Sequence, residues 1–215
     1  MNSDLFDDAM ASEPQHLAPG VVLLPRYVNA TESAVLHSID EVMRRAPLRH
    51  MVTSRGFHMS VAMTNAGPRG WVSDRRGYRY SAVDPETQQP WPDLPAALRT
   101  LAQSAALAAG FPDFQPDACL INRYVPGARM SLHQDRDEAD FSQPIVSVSL
   151  GLPATFQLGG LQRQDKTQRI SLEHGDVLVW GGPARLRFHG VLPLKAGVHP
   201  LLGEQRINLT FRRAD

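Results

Sequence analysis

Cysteine is almost absent from the 215-residue chain, where Cys119 stands alone. That excludes an internal disulfide framework and a cysteine-rich zinc module, and suits a reducing compartment. Long apolar runs are missing too. No stretch reaches eighteen apolar residues, and no basic segment followed by an apolar one opens the chain, so the sequence predicts a soluble, unexported, cytoplasmic protein without a membrane partner. Net charge is lacking as well: 22 basic residues balance 22 acidic ones, so attraction to a polyanion must come from a local cluster. Internal repeats and low-complexity tracts are also absent.

What is present is enough apolar content, 42% of residues, for one substantial core and a single monomeric domain. Charge is unevenly spread. Residues 1–20 hold Asp4, Asp7, Asp8 and Glu13 with no Lys or Arg, and read as a flexible acidic arm. Residues 44–80 hold eight arginines against one acid, Asp74, interleaved with Phe57, Trp71, Tyr78 and Tyr80. A charge run is ordinarily a solvated surface, but arginines mixed with aromatics suit nucleic acid.

Val35, Leu36, Ile39, Val42 and Met43 follow helical spacing behind a cap at Asn29 or Thr31, and a second helix spans 96–109 between Pro95 and Gly110. Both read as core-packing scaffold. Residues 48–95 are irregular, broken by Gly and Pro, with short strands at 56–63 and 77–81; a segment of that length in a compact domain is usually functional. From residue 117 the pattern is strands only, at 145–150, 154–158, 170–172, 177–180, 186–191 and 207–211, after an earlier one at 21–24. Such spacing predicts a β-sandwich or jelly-roll barrel with the helices on one outer face.

Residues 117–135 read as a strand, a Pro126-Gly127 turn and a second strand. Closed as a hairpin, they would put Asn122 opposite His133, on one face with Tyr124 and Asp135. Packing alone does not ask for an amide, a phenol, an imidazole and a carboxylate together. His133 and Asp135 point the same way, but a mononuclear metal site needs at least one more ligand. In the run from Arg185 to Val191, alternation puts Leu186 and Phe188 on the core side and leaves His189 on the other, as a candidate third ligand. Two His and one carboxylate make the facial triad that leaves open positions on non-haem Fe(II). In the run from Arg206 to Arg212, Ile207, Leu209 and Phe211 form an apolar face, and Arg206, Asn208, Thr210 and Arg212 a polar one. On an edge strand that face would be solvated. Inside a barrel it needs an anion, for which a small dicarboxylate fits the guanidinium fork. Arg206 and Arg212 lie roughly 20 Å apart along an extended strand, so they must lean inward to share one small ligand.

These motifs, Asn122-Arg-Tyr124, His133-Gln-Asp135, His189 and Arg206-x-Asn-x-Thr-Phe-Arg212, resemble the AlkB family of Fe(II)- and 2-oxoglutarate-dependent dioxygenases from about residue 20 to the C-terminus. The resemblance implies a mainly β (α+β) fold with a double-stranded β-helix core, one domain over 21–215 with N-terminal helices, and a nucleotide-recognition lid at 48–95. It implies His133, Asp135 and His189 as the catalytic iron ligands. Arg206 would take the distal carboxylate of 2-oxoglutarate and Arg212 would sit near the chelating one, with Asn122, Tyr124 and Asn208 adding hydrogen bonds. Trp71 would stack on a flipped base, Asp137 would accept from its exocyclic amine, Tyr78 and Tyr80 would contact the strand, and Arg163 would close the pocket. The activity implied is oxidative demethylation of N1-methyladenine and N3-methylcytosine in DNA, single-stranded in preference, with RNA as a second substrate. It consumes O2 and 2-oxoglutarate and releases formaldehyde, succinate and CO2.

Rival readings are an oxygenase of the same fold acting on a protein or small molecule, a zinc hydrolase using the same three ligands, and a pure nucleic-acid-binding module. The second would leave Arg206 and Arg212 without a purpose, and the third would not need the triad. Trp91, Trp180 and Cys119 read as core residues and His174 as a turn residue. On this reading His133→Ala or Asp135→Ala abolishes metal binding with the fold intact, which Mn(II) titration and circular dichroism check.

Overall fold

A computed structural model describes residues 13–215. In chain order the strands are β1 (Gln15–Ala18), β2 (Val21–Leu24), β3 (Arg49–Val52), β4 (His58–Ala66), β5 (Gly70–Asp74), β6 (Gly77–Ser81), β7 (Ala118–Tyr124) and β8 (Met130–His133). They continue as β9 (Ile145–Gly151), β10 (Ala154–Leu158), β11 (Gln168–Leu172), β12 (Val177–Trp180), β13 (His189–Val191) and β14 (Arg206–Arg212). Helices α1 (Glu32–Arg45) and α2 (Ala96–Ala108) precede β7. An eight-stranded sheet runs β1-β2-β12-β9-β14-β7-β4-β3, a four-stranded sheet β11-β10-β13-β8, and β5 pairs only with β6.

The large sheet is buried on both faces, which is why β2 (VVLL) and β12 (VLVW) are continuously apolar. Its outer face presents Val22, Leu24, Val177, Val179, Ile207, Leu209 and Phe211 to Val35, Ile39 and Val42 of α1 and to Leu98, Leu101 and Ala105 of α2. Its inner face presents Val21, Leu23, Leu178, Trp180, Leu120 and Tyr124 to Phe156, Leu158, Ile170, Leu172 and Val191 of the small sheet. The two sheets thus close a jelly-roll interior, with the helices outside it as the sequence predicts.

Three expectations need correction. The arm expected over 1–20 is shorter at its C-terminal end, since Gln15–Ala18 pairs antiparallel with β2; residues 1–12 lie outside the described residues. The 48–95 segment carries the strands expected near 56–63 and 77–81, as β4 and β6, but is more regular than expected, since β3 and β5 pair with them in two hairpins. β7 and β8 do not form a hairpin: β7 has β14 on one edge and β4 on the other, so no edge is left for β8, which pairs with β13 instead. The Pro126-Gly127 turn, with Gly127 at φ 86°, carries the chain from one sheet to the other. Asn122 therefore faces His133 across the interior rather than along a ladder.

Gly151 ends β9 at φ 89°, and a Cβ there would lie 2.4 Å from the Gln205 carbonyl, just before β14 begins. Gly151→Ala is expected to lose about 1–3 kcal/mol of unfolding free energy, measured by urea denaturation.

Candidate metal and co-substrate site

Both imidazoles of the expected triad stand on the small sheet. His133 ends β8 and His189 begins β13, as direct cross-strand partners, and the register slips by one between His189 and Val191. That irregularity breaks strict alternation, so Met130 and His133, even and odd in sequence, line the same cavity. Asp135 follows β8 in an irregular segment. Ligand atoms of His133, Asp135 and His189 all lie within 4.8 Å of one another. His133 Nε2 is 3.7 Å from Asp135 Oδ1, and His189 Nε2 is 3.7 Å from Asp135 Oδ2.

Each imidazole is oriented by the backbone. His133 Nδ1 donates to Ser131 O at 2.8 Å and His189 Nδ1 to Arg187 O at 3.0 Å, which leaves both Nε2 lone pairs facing Asp135. Burial, with the neighbouring His133, pushes the His189 pKa down to about 4. Its ring is therefore neutral at pH 7, as a metal ligand must be. Burial works against the Asp135 carboxylate, but Arg212, His189 and His133 outweigh it and hold its pKa well below the usual range. This donor set of two neutral imidazoles and one carboxylate fits a divalent iron with open positions.

The opposite wall belongs to the large sheet. Arg206, Asn208, Thr210 and Arg212 of β14 face inward beside Asn122 and Tyr124 of β7, and Asn208 is the cross-strand partner of Asn122 on one side and Ser149 on the other. Ser147 and Ser149, alternate residues within the apolar run of β9, complete the patch. Ser147 Oγ accepts from Asn208 Nδ2 at 2.8 Å and Ser149 Oγ from Arg206 Nη2 at 2.9 Å. Neither serine was singled out from sequence, although their alternation with Val146, Val148 and Leu150 is the signal that marks them.

The two arginines have different surroundings. Arg206 is 1% exposed and lies over the Tyr124 ring at 5.0 Å, yet among the described residues its Nε and Nη1 find no acceptor, nor does Asn122 Oδ1 nearby find a donor. Burial pulls its pKa below the ordinary arginine value. A buried guanidinium with unused donors is a site for an anion. Arg212 donates from Nε and Nη2 to Asp135 Oδ2 at 2.9 and 2.7 Å and reaches Glu138 Oε1 at 3.3 Å, while still lining the cavity that Arg206 faces. Burial opposes its charge, but Asp135, Tyr80 and Glu138 overcome that and raise its pKa. The roughly 20 Å expected along an extended strand does not keep the two apart, since Arg206 and Arg212 both lean into one cavity with His133, Asp135 and His189. A cavity of about 90 Å³ runs between Arg206 and the His133, Asp135 and His189 cluster. Unpaired donors at one end and a metal-binding set at the other fit a dicarboxylate that also reaches the metal.

A larger opening of about 750 Å³ lies outside the triad, lined by Trp71, Tyr78, His133, Asp137, Arg163 and Phe188 among others. Trp71 stacks on Tyr78 at 5.5 Å and donates from Nε1 to Asp137 Oδ2 at 2.9 Å. Buried Asn65, unforeseen from sequence, fixes Trp71 by accepting from its backbone N–H at 2.9 Å and donating to its carbonyl at 3.0 Å. Arg163 donates to Leu132 O at 2.8 Å and lies over the Phe188 ring at 5.8 Å. Phe188 is thus a pocket residue. The strand expected over 186–191 begins only at His189, so Leu186 and Phe188 are half-exposed rather than core. Tyr80 is absent from the lining and donates instead to Glu138 Oε1 at 2.6 Å. Glu138 and Arg185 also escaped sequence reasoning; both are buried, and Arg185 Nη2 donates to Glu138 Oε2 at 3.0 Å. Trp180 is buried as expected, yet lies edge-on to His189 at 5.0 Å, and His174 stacks on His199 at 4.3 Å, away from the triad.

The profile of the 2OG-Fe(II) oxygenase superfamily matches residues 20–212. The chain is 57% identical over 213 residues, 98% of its length and 97% of the other's, to "Alpha-ketoglutarate-dependent dioxygenase AlkB" of Escherichia coli strain K12. It is 45% identical to the AlkB homolog of Caulobacter vibrioides, over 95% of this chain and 92% of that one. The solved structure described as "The structure of OsALKBH1" superposes with a TM-score of 0.81 at 29% identity, covering 93% of this chain and 99% of that one.

The geometry separates two substitutions that sequence treats alike. Asp135→Ala strands Arg212 and is expected to cost roughly 3–5 kcal/mol, whereas His133→Ala, at a half-exposed side chain, leaves the urea midpoint near the parent's; both abolish Mn(II) binding. Arg206→Met replaces an uncompensated buried cation and is expected to raise the stability of the metal-free protein by about 1–4 kcal/mol.

Proposed function

The chain belongs to the 2OG-Fe(II) oxygenase superfamily and, within it, to the AlkB family, and from that membership we propose the following assignment of its residues and substrates. It is an Fe(II)- and 2-oxoglutarate-dependent dioxygenase that carries out oxidative dealkylation repair of DNA. His133, Asp135 and His189 hold the iron and Arg206 takes the distal carboxylate of 2-oxoglutarate. The observation carrying this reading is the buried Arg206 guanidinium with Nε and Nη1 unpaired, across a cavity from three converging ligand atoms.

Iron with O2 and 2-oxoglutarate supplies the oxidant that no side chain can provide, at the expense of decarboxylating the keto-acid to succinate and CO2. The residues bind, orient and exclude water. Asn122, Tyr124 and Asn208 line the keto-acid cavity with Arg206, and Ser149 fixes the Arg206 fork. Arg212 is assigned to Asp135: its two bonds to Oδ2 fix the carboxylate's orientation and hold it ionised as a ligand. The hydroxylated N-methyl group leaves the base as formaldehyde.

Within DNA, the substrates are N1-methyladenine and N3-methylcytosine. Both carry positive charge, which the indole face of Trp71 and the carboxylate of Asp137 attract over a neutral base. Trp71, Asp137 and Arg163 share with His133 an opening large enough for a nucleobase. Tyr78 covers one face of Trp71, so an incoming base stacks on the other. Single-stranded DNA, with no pairing to break, is the preferred substrate and RNA a second one, and in a duplex the methyl group blocks pairing and so lowers the cost of flipping. Residues 48–95 serve as the nucleotide-recognition lid of a monomeric enzyme, supported by Phe57 at 69% and Tyr78 at 51% exposure among its arginines. Among the described residues no helix is long and apolar enough to cross a membrane.

The test is anaerobic loading with Fe(II) and 2-oxoglutarate, followed by O2 and an oligonucleotide carrying one methylated base. Formaldehyde and the restored base are expected; succinate without either would overturn the substrate. Arg206→Ala is expected to raise the KM for 2-oxoglutarate far more than it changes oligonucleotide affinity. Trp71→Ala is expected to impair base repair while sparing decarboxylation without a base, and an equal loss of both would count against stacking.

A further inference from the structure

The segment that carries Asp135 also carries two side chains that meet the β5–β6 hairpin. Trp71 and Tyr80 are cross-strand partners in that hairpin. Trp71 Nε1 donates to Asp137 Oδ2 at 2.9 Å, and the Tyr80 hydroxyl donates to Glu138 Oε1 at 2.6 Å. Paired positions on the hairpin thus hold adjacent positions of the segment. Their depths differ: Asp137 is exposed and lines the nucleobase opening, whereas Glu138 is buried and does not. A base arriving beside Trp71 competes for Asp137 and leaves the Tyr80–Glu138 bond alone.

Glu138 reaches further than Tyr80. Its Oε1 lies 3.3 Å from Arg212 Nε, and its Oε2 accepts from Arg185 Nη2 at 3.0 Å. Those two guanidiniums hold both ends of the metal ligand. Arg212 bonds the Asp135 carboxylate, and Arg185 Nη1 donates to the Asp135 backbone carbonyl at 2.7 Å. Two carboxylates and two guanidiniums balance in this buried cluster, and the Tyr80 phenol is its donor from the hairpin. A satisfied buried network of this kind has one low-energy arrangement, so displacing a member displaces the others.

We propose that Glu138 is a positioning residue which ties the β5–β6 hairpin, through Tyr80, to the orientation of the metal ligand Asp135, so that seating of the hairpin and the geometry of the metal site change together. This rests on the triad and co-substrate assignment above and adds to it a route by which base recognition and oxidation are coupled.

The test is amide hydrogen exchange over residues 70–81, without metal and then with Mn(II) and 2-oxoglutarate, which bind without turnover. Loading is expected to slow exchange in the parent protein. Tyr80→Phe, which deletes one oxygen, and Glu138→Gln, which removes the charge, are each expected to lose that slowing, with hairpin exchange about tenfold faster, as loss of one charge-assisted hydrogen bond would give. The double variant is expected to go no further than either single one. With methylated oligonucleotide, the ratio of succinate to formaldehyde rises above the parent's in both. Ligand-dependent slowing retained in Tyr80→Phe, or exchange accelerated alike throughout the molecule, would overturn the proposal and leave Glu138 a purely structural residue. Succinate without formaldehyde in the parent would strike the substrate instead, since the exchange measurement uses no oligonucleotide.

Discussion

The ion pair between Arg212 and Asp135 joins the two walls of the barrel at the metal site. Arg212 belongs to the eight-stranded sheet, and Asp135 follows an edge strand of the four-stranded one. Each is buried and costly to leave alone. Both imidazoles sit on the small sheet and the Arg206 patch on the large one, so the placement of the candidate metal ligands relative to that patch depends on how the sheets meet. Apolar packing of Leu120, Trp180 and Tyr124 against Phe156 and Val191 sets the separation, and the ion pair fixes the local register.

The central sheet separates scaffold from chemistry by face. Along β14, Ile207, Leu209 and Phe211 meet the helices while Arg206, Asn208, Thr210 and Arg212 line the interior. Apolar burial on both faces of the large sheet stabilises the fold, and that stability tolerates an Arg206 side chain without an anionic partner on the inner one. A protein organised for stability alone would place a hydrophobe there.

This division made much of the site legible. In β14 the alternation is strict because each face has a distinct environment, so its polar residues can be assigned to one side from sequence. The same logic failed where the chain is irregular. Leu186 and Phe188 were assigned to the core by extending a strand that begins only at His189. Pro126-Gly127 signals a change of direction but not which edges are free, and a hairpin was inferred where the chain crosses between sheets. Glu138 and Arg185 stand in segments without any period, so nothing local distinguishes them from solvated charges; only the fold brings them to Asp135 and Arg212. Asn65, within β4, acts on a residue six positions on, across a turn whose path the sequence does not specify.

The crossing at Pro126-Gly127 has a consequence for when the site exists. Because both imidazoles stand on the four-stranded sheet and the Arg206 patch on the eight-stranded one, the two halves of the proposed site face each other only when the barrel closes. The proposed site is thus a property of the closed barrel and of neither sheet alone.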